Sequence, residues 1–318
     1  MKKTFALLLA IIMLFSLASC GGSTPAPQGN NGNASQTPAA PSNTENDKTP
    51  STPVKEPETK NAYTIADHVI IDNDVCKVTV VSATTPKSGG VTFKILLENK
   101  TADKKLMFGI DDVSVNGWMI DPFFARSVQA GKQANDNISF SKNDFEECGI
   151  TTADKITMNL RVYDDDDWTA DEFVDDVFTF YPTGLTDAEI KSPERTHVKD
   201  EVVVVDDENC TFVILGTHVD SIWGYTISVY LENKTADKNL LFSWDDVSVN
   251  GFMIDPFWGT SVPAGCKKFS EIDFSKSDFE DNDIKEVETI EYNFSVSDND
   301  DWMADDLIDD IFTYEPAK

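Results

Sequence analysis

The densest chemistry-bearing stretch of the sequence is acidic. Asp164, Asp165, Asp166, Asp167, Asp171, Glu172, Asp175 and Asp176 fall within 13 residues that contain no Lys or Arg. A second run holds Asp298, Asp300, Asp301, Asp305, Asp306, Asp309 and Asp310. Clustered carboxylate oxygens are hard ligands of the kind Ca²⁺ takes, six to eight at a time. Asp164, Asp166, Asp167 and Asp171, with Asp298, Asp300, Asp301 and Asp305, are therefore the candidate metal ligands, and Ca²⁺ the one candidate cofactor. The spacing is not that of an EF-hand, because no Gly stands at position six and no Glu at twelve. The plainer reading is a solvated acidic loop between two strands, with Trp168 and Trp302 as packing anchors.

Aromatic residues form the second candidate group. Trp118, Phe123 and Phe124 lie close together, as do Phe252, Phe257 and Trp258. Exposed rings stack on sugars or receive a partner's apolar anchor; buried rings cap the end of a core. Burial separates the two readings. Catalysis has little support. The three histidines are His68, His197 and His218, and no G-x-S-x-G, P-loop or H-E-x-x-H occurs. With 56 acids in the chain, a glycosidase-like carboxylate pair has no specificity. The expectation is a protein that is not an enzyme.

The formal charge of −30 repels phosphate backbones, which argues against nucleic acid as a partner. Charged partners should be cations or basic proteins. The charge is uneven. Residues 68–182 carry 11 basic and 20 acidic residues, for −9, whereas residues 199–316 carry 7 and 28, for −21.

Covalent chemistry is foreseen at one residue, Cys20. Residues 1–20 read MKKTFALLLAIIMLFSLASC, with Lys2 and Lys3 before an apolar run from Phe5 to Leu17. The run is short for a bilayer span and is followed at once by polar residues, as in a secretory signal peptide. Its end, Leu17-Ala18-Ser19-Cys20, resembles the lipobox of bacterial lipoproteins. That resemblance implies a diacylglycerol on the Cys20 sulfur, cleavage after residue 19, and extracytoplasmic anchoring to a bacterial membrane. Two acyl chains make such anchoring stable, at ~0.8 kcal/mol per buried methylene. Residues 20–62 are rich in Gly, Ser, Thr, Pro, Asn and Gln, so nothing there offsets ordering entropy by burial. The expectation is a disordered spacer reaching ~130 Å extended or ~35 Å as a coil.

The remainder is one domain written twice. Residues 76–182 and 210–316 align at a constant offset of 134 without a gap, with 51 identities in 107 positions. Leu97-Glu98-Asn99-Lys100-Thr101-Ala102-Asp103-Lys104 recurs as Leu231 to Lys238, Asp111 to Gly117 as Asp245 to Gly251, and Met119 to Phe123 as Met253 to Phe257. This period lies far outside the solenoid range. The expected organisation is repeat 1 at 63–182, a linker at 183–198 and repeat 2 at 199–318. In the linker, Thr186-Asp187-Ala188-Glu189 has the form of a capping box.

Each repeat reads as β. Val91, Phe93, Ile95 and Leu97 alternate with Thr92, Lys94, Leu96 and Glu98, and Ile156, Met158, Leu160 and Val162 with Thr157, Asn159, Arg161 and Tyr163; repeat 2 keeps both patterns. Period two with one apolar face is a half-buried antiparallel strand. Asn116-Gly117 and Asn250-Gly251 are type I′ hairpin signals, and Ser141-Lys142-Asn143-Asp144 caps a short helical turn. Seven or eight short strands per repeat make the fold class all-β, two tandem immunoglobulin-like sandwiches. Without a Cys…Trp…Cys pattern, that likeness is architectural only.

The lipobox, the spacer and the E-N-K-T-A-D-K and D-D-V-S-V-N-G-x-M-I-D-P strands together resemble the uncharacterised immunoglobulin-like domains of bacterial surface lipoproteins. The resemblance covers most of residues 68–316. It implies a sandwich fold and a surface location, with a protein or glycan ligand unidentified, and it brings no catalytic residues. Three functions follow as expectations: binding, adhesion or an envelope-structural role; a Ca²⁺-stabilised module; and carbohydrate binding or hydrolysis. Among the cysteines, Cys76 and Cys210 are equivalent core positions. Cys148 and Cys266 have Asn282 and Lys132 as counterparts, so Cys76–Cys148 and Cys210–Cys266 bridges are not expected to be essential to the fold.

Overall fold

The strand register follows from the alternation. In the computed structural model, which describes residues 62–220, 224–301 and 303–316, repeat 1 begins with β1 (Ala66–Asp72), β2 (Cys76–Thr84) and β3 (Val91–Asn99). β4 (Leu106–Val115), β5 (Trp118–Met119), β6 (Ala125–Val128) and β7 (Gln133–Phe140) follow. α1 (Lys142–Glu147), β8 (Ile156–Asp164) and β9 (Val174–Phe180) complete the repeat. Repeat 2 runs in the same order: β10 (Val202–Asp206), β11 (Cys210–Asp220), β12 (Gly224–Asn233), β13 (Leu240–Val249), β14 (Phe252–Met253), β15 (Gly259–Val262), β16 (Lys267–Ser275), α2 (Lys276–Asp281), β17 (Ile290–Asp298) and β18 (Ile308–Tyr314). The signal segment, Cys20 and the spacer up to residue 61 lie outside the described residues, as does Trp302. No helix among the described residues is long and apolar enough to cross a membrane.

The chain is all-β, and each repeat is a two-layered antiparallel sandwich. In repeat 1 the layers are β1-β2-β3-β7 and β5-β4-β8-β9, with β6 also on β4. In repeat 2 they are β10-β11-β12-β16 and β14-β13-β17-β18, with β15 on β13. β2 and β3 pair as a hairpin within one layer, whereas the second and third strands of an immunoglobulin domain sit in different layers. The architecture is that of a sandwich, and the strand order is its own.

The alternating residues do the packing. Val91, Phe93, Ile95 and Leu97 from one layer meet Ile156, Met158, Leu160 and Val162 from the other in a single buried cluster. Burying each such side chain contributes ~1.5–3 kcal/mol. Phe212, Ile227, Val229, Leu231, Phe242 and Phe294 do the same in repeat 2. Asn116 and Gly117 have φ of 53° and 85°, and Asn250 and Gly251 have 51° and 84°, as a type I′ turn requires. Ser141 and Asp144 form a reciprocal capping box at 3.2 Å in each direction, and Glu189 accepts from the Thr186 N–H at 2.9 Å.

The two repeats are joined through the β4–β5 hairpin. The Lys267 N–H donates to the Gly117 carbonyl at 2.8 Å, and Lys267 and Trp118 form a parallel bridge. That bridge makes one sheet, β10-β11-β12-β16-β5-β4-β8-β9, running through both sandwiches. Trp118 is 0% exposed. Its ring lies 4.9 Å from Phe269 and 5.8 Å from Tyr230, and its Nε1 donates to the Pro193 carbonyl at 2.9 Å. The linker thus packs into the joint. Arg195 stacks on Tyr230 at 4.8 Å and pairs with both oxygens of Glu201 at 2.7 and 2.8 Å.

Candidate functional site

The repeated N-K-T-x-x-K segment explains where the acidic loops go. Asn99 is buried at the end of β3. Its Nδ2 donates to the Lys104 and Val128 carbonyls, both at 2.8 Å. Its Oδ1 accepts from the Thr101 N–H at 2.9 Å and from Thr101 Oγ1 at 2.6 Å. The turn this builds aims Lys104 at Asp164, 60 residues away in sequence. Lys100 Nζ donates to the Asn73 carbonyl at 2.6 Å and pairs with Asp72. Repeat 2 reproduces the arrangement. Asn233 Nδ2 donates to the Lys238 and Val262 carbonyls at 2.7 Å, Lys234 pairs with Asp206, and Lys238 Nζ reaches Asp298 at 2.7 Å.

The candidate metal ligands are therefore placed as follows. Asp164 is buried and takes Lys104 on one oxygen and the Asp166 N–H on the other, at 3.2 Å. The Lys104 ammonium, reinforced by that N–H, holds its carboxyl below the usual range. Asp298 is held down in the same way by Lys238, with the Asp300 N–H beside it. Asp167 accepts from the Thr169 N–H and hydroxyl at 3.2 and 2.7 Å. Asp301 accepts from the Met303 N–H at 3.1 Å, and Asp300 from Asn239 at 2.8 Å. Asp166, Asp171 and Asp305 are exposed. Among the described residues, no three His, Cys, Asp or Glu side chains converge as a metal site would need. The loops are lysine-pinned turns, and the pinning lysines lie in a distant segment. Trp168 does not anchor its loop: it stands 79% exposed.

The six aromatics separate into four groups. Trp118 is consumed by the joint between the repeats. Phe124 and Trp258 are buried and close the sandwich ends. Phe123 and Phe257, equivalent residues in the repeated D-P-F segment, project into solvent at 92% and 93% exposure. Phe252 is 46% exposed. In repeat 2 the exposed ring is held by an Asx turn, with the Phe257 N–H donating to Asp255 Oδ1 at 2.8 Å. Phe257 itself has φ of 49°, a conformation that is costly for a bulky residue.

Around Phe123 lies an open recess of about 530 Å³, lined by Asp111, Asp112, Asp121, Phe124, Arg161 and Tyr163, among others. A β-bulge between Asp111 and Ser114 shapes its floor, with Asp112 at φ 47°. Arg161 pairs with Asp111 at 3.2 Å and with Glu172. Desolvation, with Asp111 next to it, pushes the Asp112 carboxyl up. The recess combines an exposed ring with an excess of carboxylates, which suits a cationic or amphipathic partner group.

Cys76, Cys148, Cys210 and Cys266 are four separate buried thiols. Burial pushes Cys76 up to about 11 and both Cys148 and Cys210 up to about 12, so none is a ready nucleophile at neutral pH. His197 pairs with Glu201 at 2.8 Å, and His68 lies 6.1 Å from the Phe180 ring.

No family model and no curated protein matches the sequence. Among solved structures, a red sea bream transglutaminase is similar at 9% identity and a TM-score of 0.22, covering 78% of this chain and 32% of its own. The present chain thus spans about a third of that protein's length.

Proposed function

We propose that the chain is a bacterial surface lipoprotein, tethered through Cys20, whose two sandwiches bind a partner at the cell envelope without catalysis. The observation that carries the binding reading is the pair Phe123 and Phe257. A fully exposed phenylalanine is costly in water, yet it recurs at the same place in both copies. Single exposed apolar residues are ordinary; what marks this pair is its repetition at equivalent positions, in repeat 2 in a costly backbone conformation. Two such sites in one chain suit avidity, because the second contact forms at high effective concentration. The non-catalytic reading is supported by the desolvated thiols and by the pairing of His197 with Glu201. Tethering rests on the lipobox-like Leu17 to Cys20.

Two measurements test this. Labelled fatty acid should enter the wild-type protein in a bacterial host and not Cys20→Ala, which should leave the membrane fraction. Purified protein should be retained on envelope preparations, and Phe123→Ser with Phe257→Ser should reduce that retention at least tenfold. Equal retention of wild type and double variant would remove the aromatic reading.

A further inference from the structure

Among the described residues, one sheet-to-sheet joint is made and both halves of an equivalent joint are left unpaired. Inside the chain, β5 of repeat 1 pairs with the edge of β16 in repeat 2. The counterpart of β5 is β14, and the counterpart of β16 is β7. β14 ends the order β14-β13-β17-β18, and β7 ends the order β1-β2-β3-β7. Phe252 and Met253 of β14 are 46% and 67% exposed, whereas Trp118 and Met119 of β5 are buried.

The registers match. Lys267, whose N–H makes the joint, pairs with Glu232 in its own sheet. Gln133 pairs with Glu98 in the same way and stands at the equivalent edge position. We infer that β14 of one copy docks onto the β7 edge of a second copy, with Gly251 and Phe252 against Gln133, repeating the internal joint between molecules.

Charge complementarity selects a second copy. In the internal joint, Cys266 is hydrogen-bonded to Ser114 and lies near Asp112 and Lys155, and Lys268 lies near Asp112. At the equivalent joint Cys266 becomes Lys132, Lys155 becomes Thr289, Lys268 becomes Ala134 and Asp112 becomes Asp246. Lys267 becomes Gln133 as well, so the receiving side loses two lysines and the hairpin side one, and Lys132 stands opposite Asp246 in their place. The receiving face also carries Lys77 and Lys94 where repeat 2 has Thr211 and Ser228. Lys77 is paired with Asp72 of its own repeat at 3.1 Å, which leaves the exposed Lys94 to meet the more acidic repeat. Val81 and Leu96 stand where Leu215 and Tyr230 receive the internal hairpin, and Asn135 replaces Phe269. The intermolecular joint is therefore weaker than the internal one. It is head-to-tail, so it propagates beyond a dimer, into rings where the rotation closes and open chains where it does not.

Analytical ultracentrifugation of the purified protein from micromolar to millimolar concentration tests this. The wild type should show a weight-average mass that rises with concentration, and added salt should weaken the association. Met253→Asp blocks one end. Gln133→Pro blocks the other by removing the edge N–H, which an edge strand tolerates; Leu96→Glu blocks the same end without touching the backbone. Each single variant should remain monomeric with an unchanged circular dichroism spectrum. Mixing Met253→Asp with either β7-side variant should yield dimers and nothing larger, because one complementary pair of ends remains. A wild type that stays monomeric throughout, single variants that still assemble, or a mixture that does not dimerise overturns the inference.

Discussion

Lys267 holds its ammonium 5.8 Å from the centroid of the Trp118 ring while donating to the Pro193 carbonyl at 3.2 Å. A tryptophan of repeat 1, a lysine of repeat 2 and the linker between them thus close on one point. The indole N–H satisfies the same carbonyl. The arrangement ties together three segments that would otherwise meet only through a flexible connection.

Trp118→Ala should destabilise the protein by ~3–5 kcal/mol, the usual cost of removing a buried aromatic. It should also split calorimetric unfolding into two transitions, because the repeats lose their shared packing. Phe252→Ala, at the equivalent but exposed position, should cost under ~1 kcal/mol and leave the unfolding profile unchanged.

Asn99→Ala should cost at least ~2 kcal/mol, since it strands the buried Val128 carbonyl and the Thr101 N–H. Asn233→Ala should behave alike. Urea unfolding of both variants checks this, and a cost below that of an ordinary surface substitution would count against the pinning role.

Acid should weaken the fold through Asp164 and Asp298. Both carboxyls are lowered in the folded state, chiefly by Lys104 and Lys238. Their stabilisation is present above the usual carboxylate range and is lost as pH falls through the depressed folded values. The double variant Lys104→Met with Lys238→Met should flatten the acid limb of the urea midpoint plotted against pH.

Asp112 has the opposite sign. Its carboxyl is raised by desolvation and by Asp111, so it opposes folding once pH exceeds the unfolded value. Asp112→Asn should stabilise at neutral pH and make no difference below about pH 3, where both forms are neutral. Asn also tolerates the positive φ at this position. Thermal melts at the two pH values measure the difference.

Millimolar Ca²⁺ should leave the melting temperature unchanged and produce no saturable heat. The best-placed oxygens, on Asp164 and Asp298, already accept from lysines and backbone amides. A calcium-dependent rise in melting temperature would show that the lysines yield to the ion.

The duplication, the alternating strands, the Asn-Gly hairpins and the Ser141 cap were all legible in the sequence. Each depends on residues close together in the chain, and local φ/ψ preferences and period-two burial read directly from neighbours. The lysine-pinned loops were not legible. An eight-acid run without a local base looks like a cation site until a lysine 60 residues away is folded against it. The repeated N-K-T-x-x-K segment was visible as identity, but identity alone does not say which carboxylate a lysine will meet.

The aromatic set shows the division most clearly. Sequence alone makes Trp118 and Phe252 equivalent, as it does Phe123 and Phe257, because the repeats share strand order and turn chemistry. Tertiary structure then buries Trp118 completely, leaves Phe252 half open and leaves both phenylalanines of the D-P-F segments in solvent. The reason is asymmetry of neighbours. Repeat 1 has a sheet beside its hairpin and repeat 2, among the described residues, does not, so the same local pattern ends in a joint at one copy and an open edge at the other.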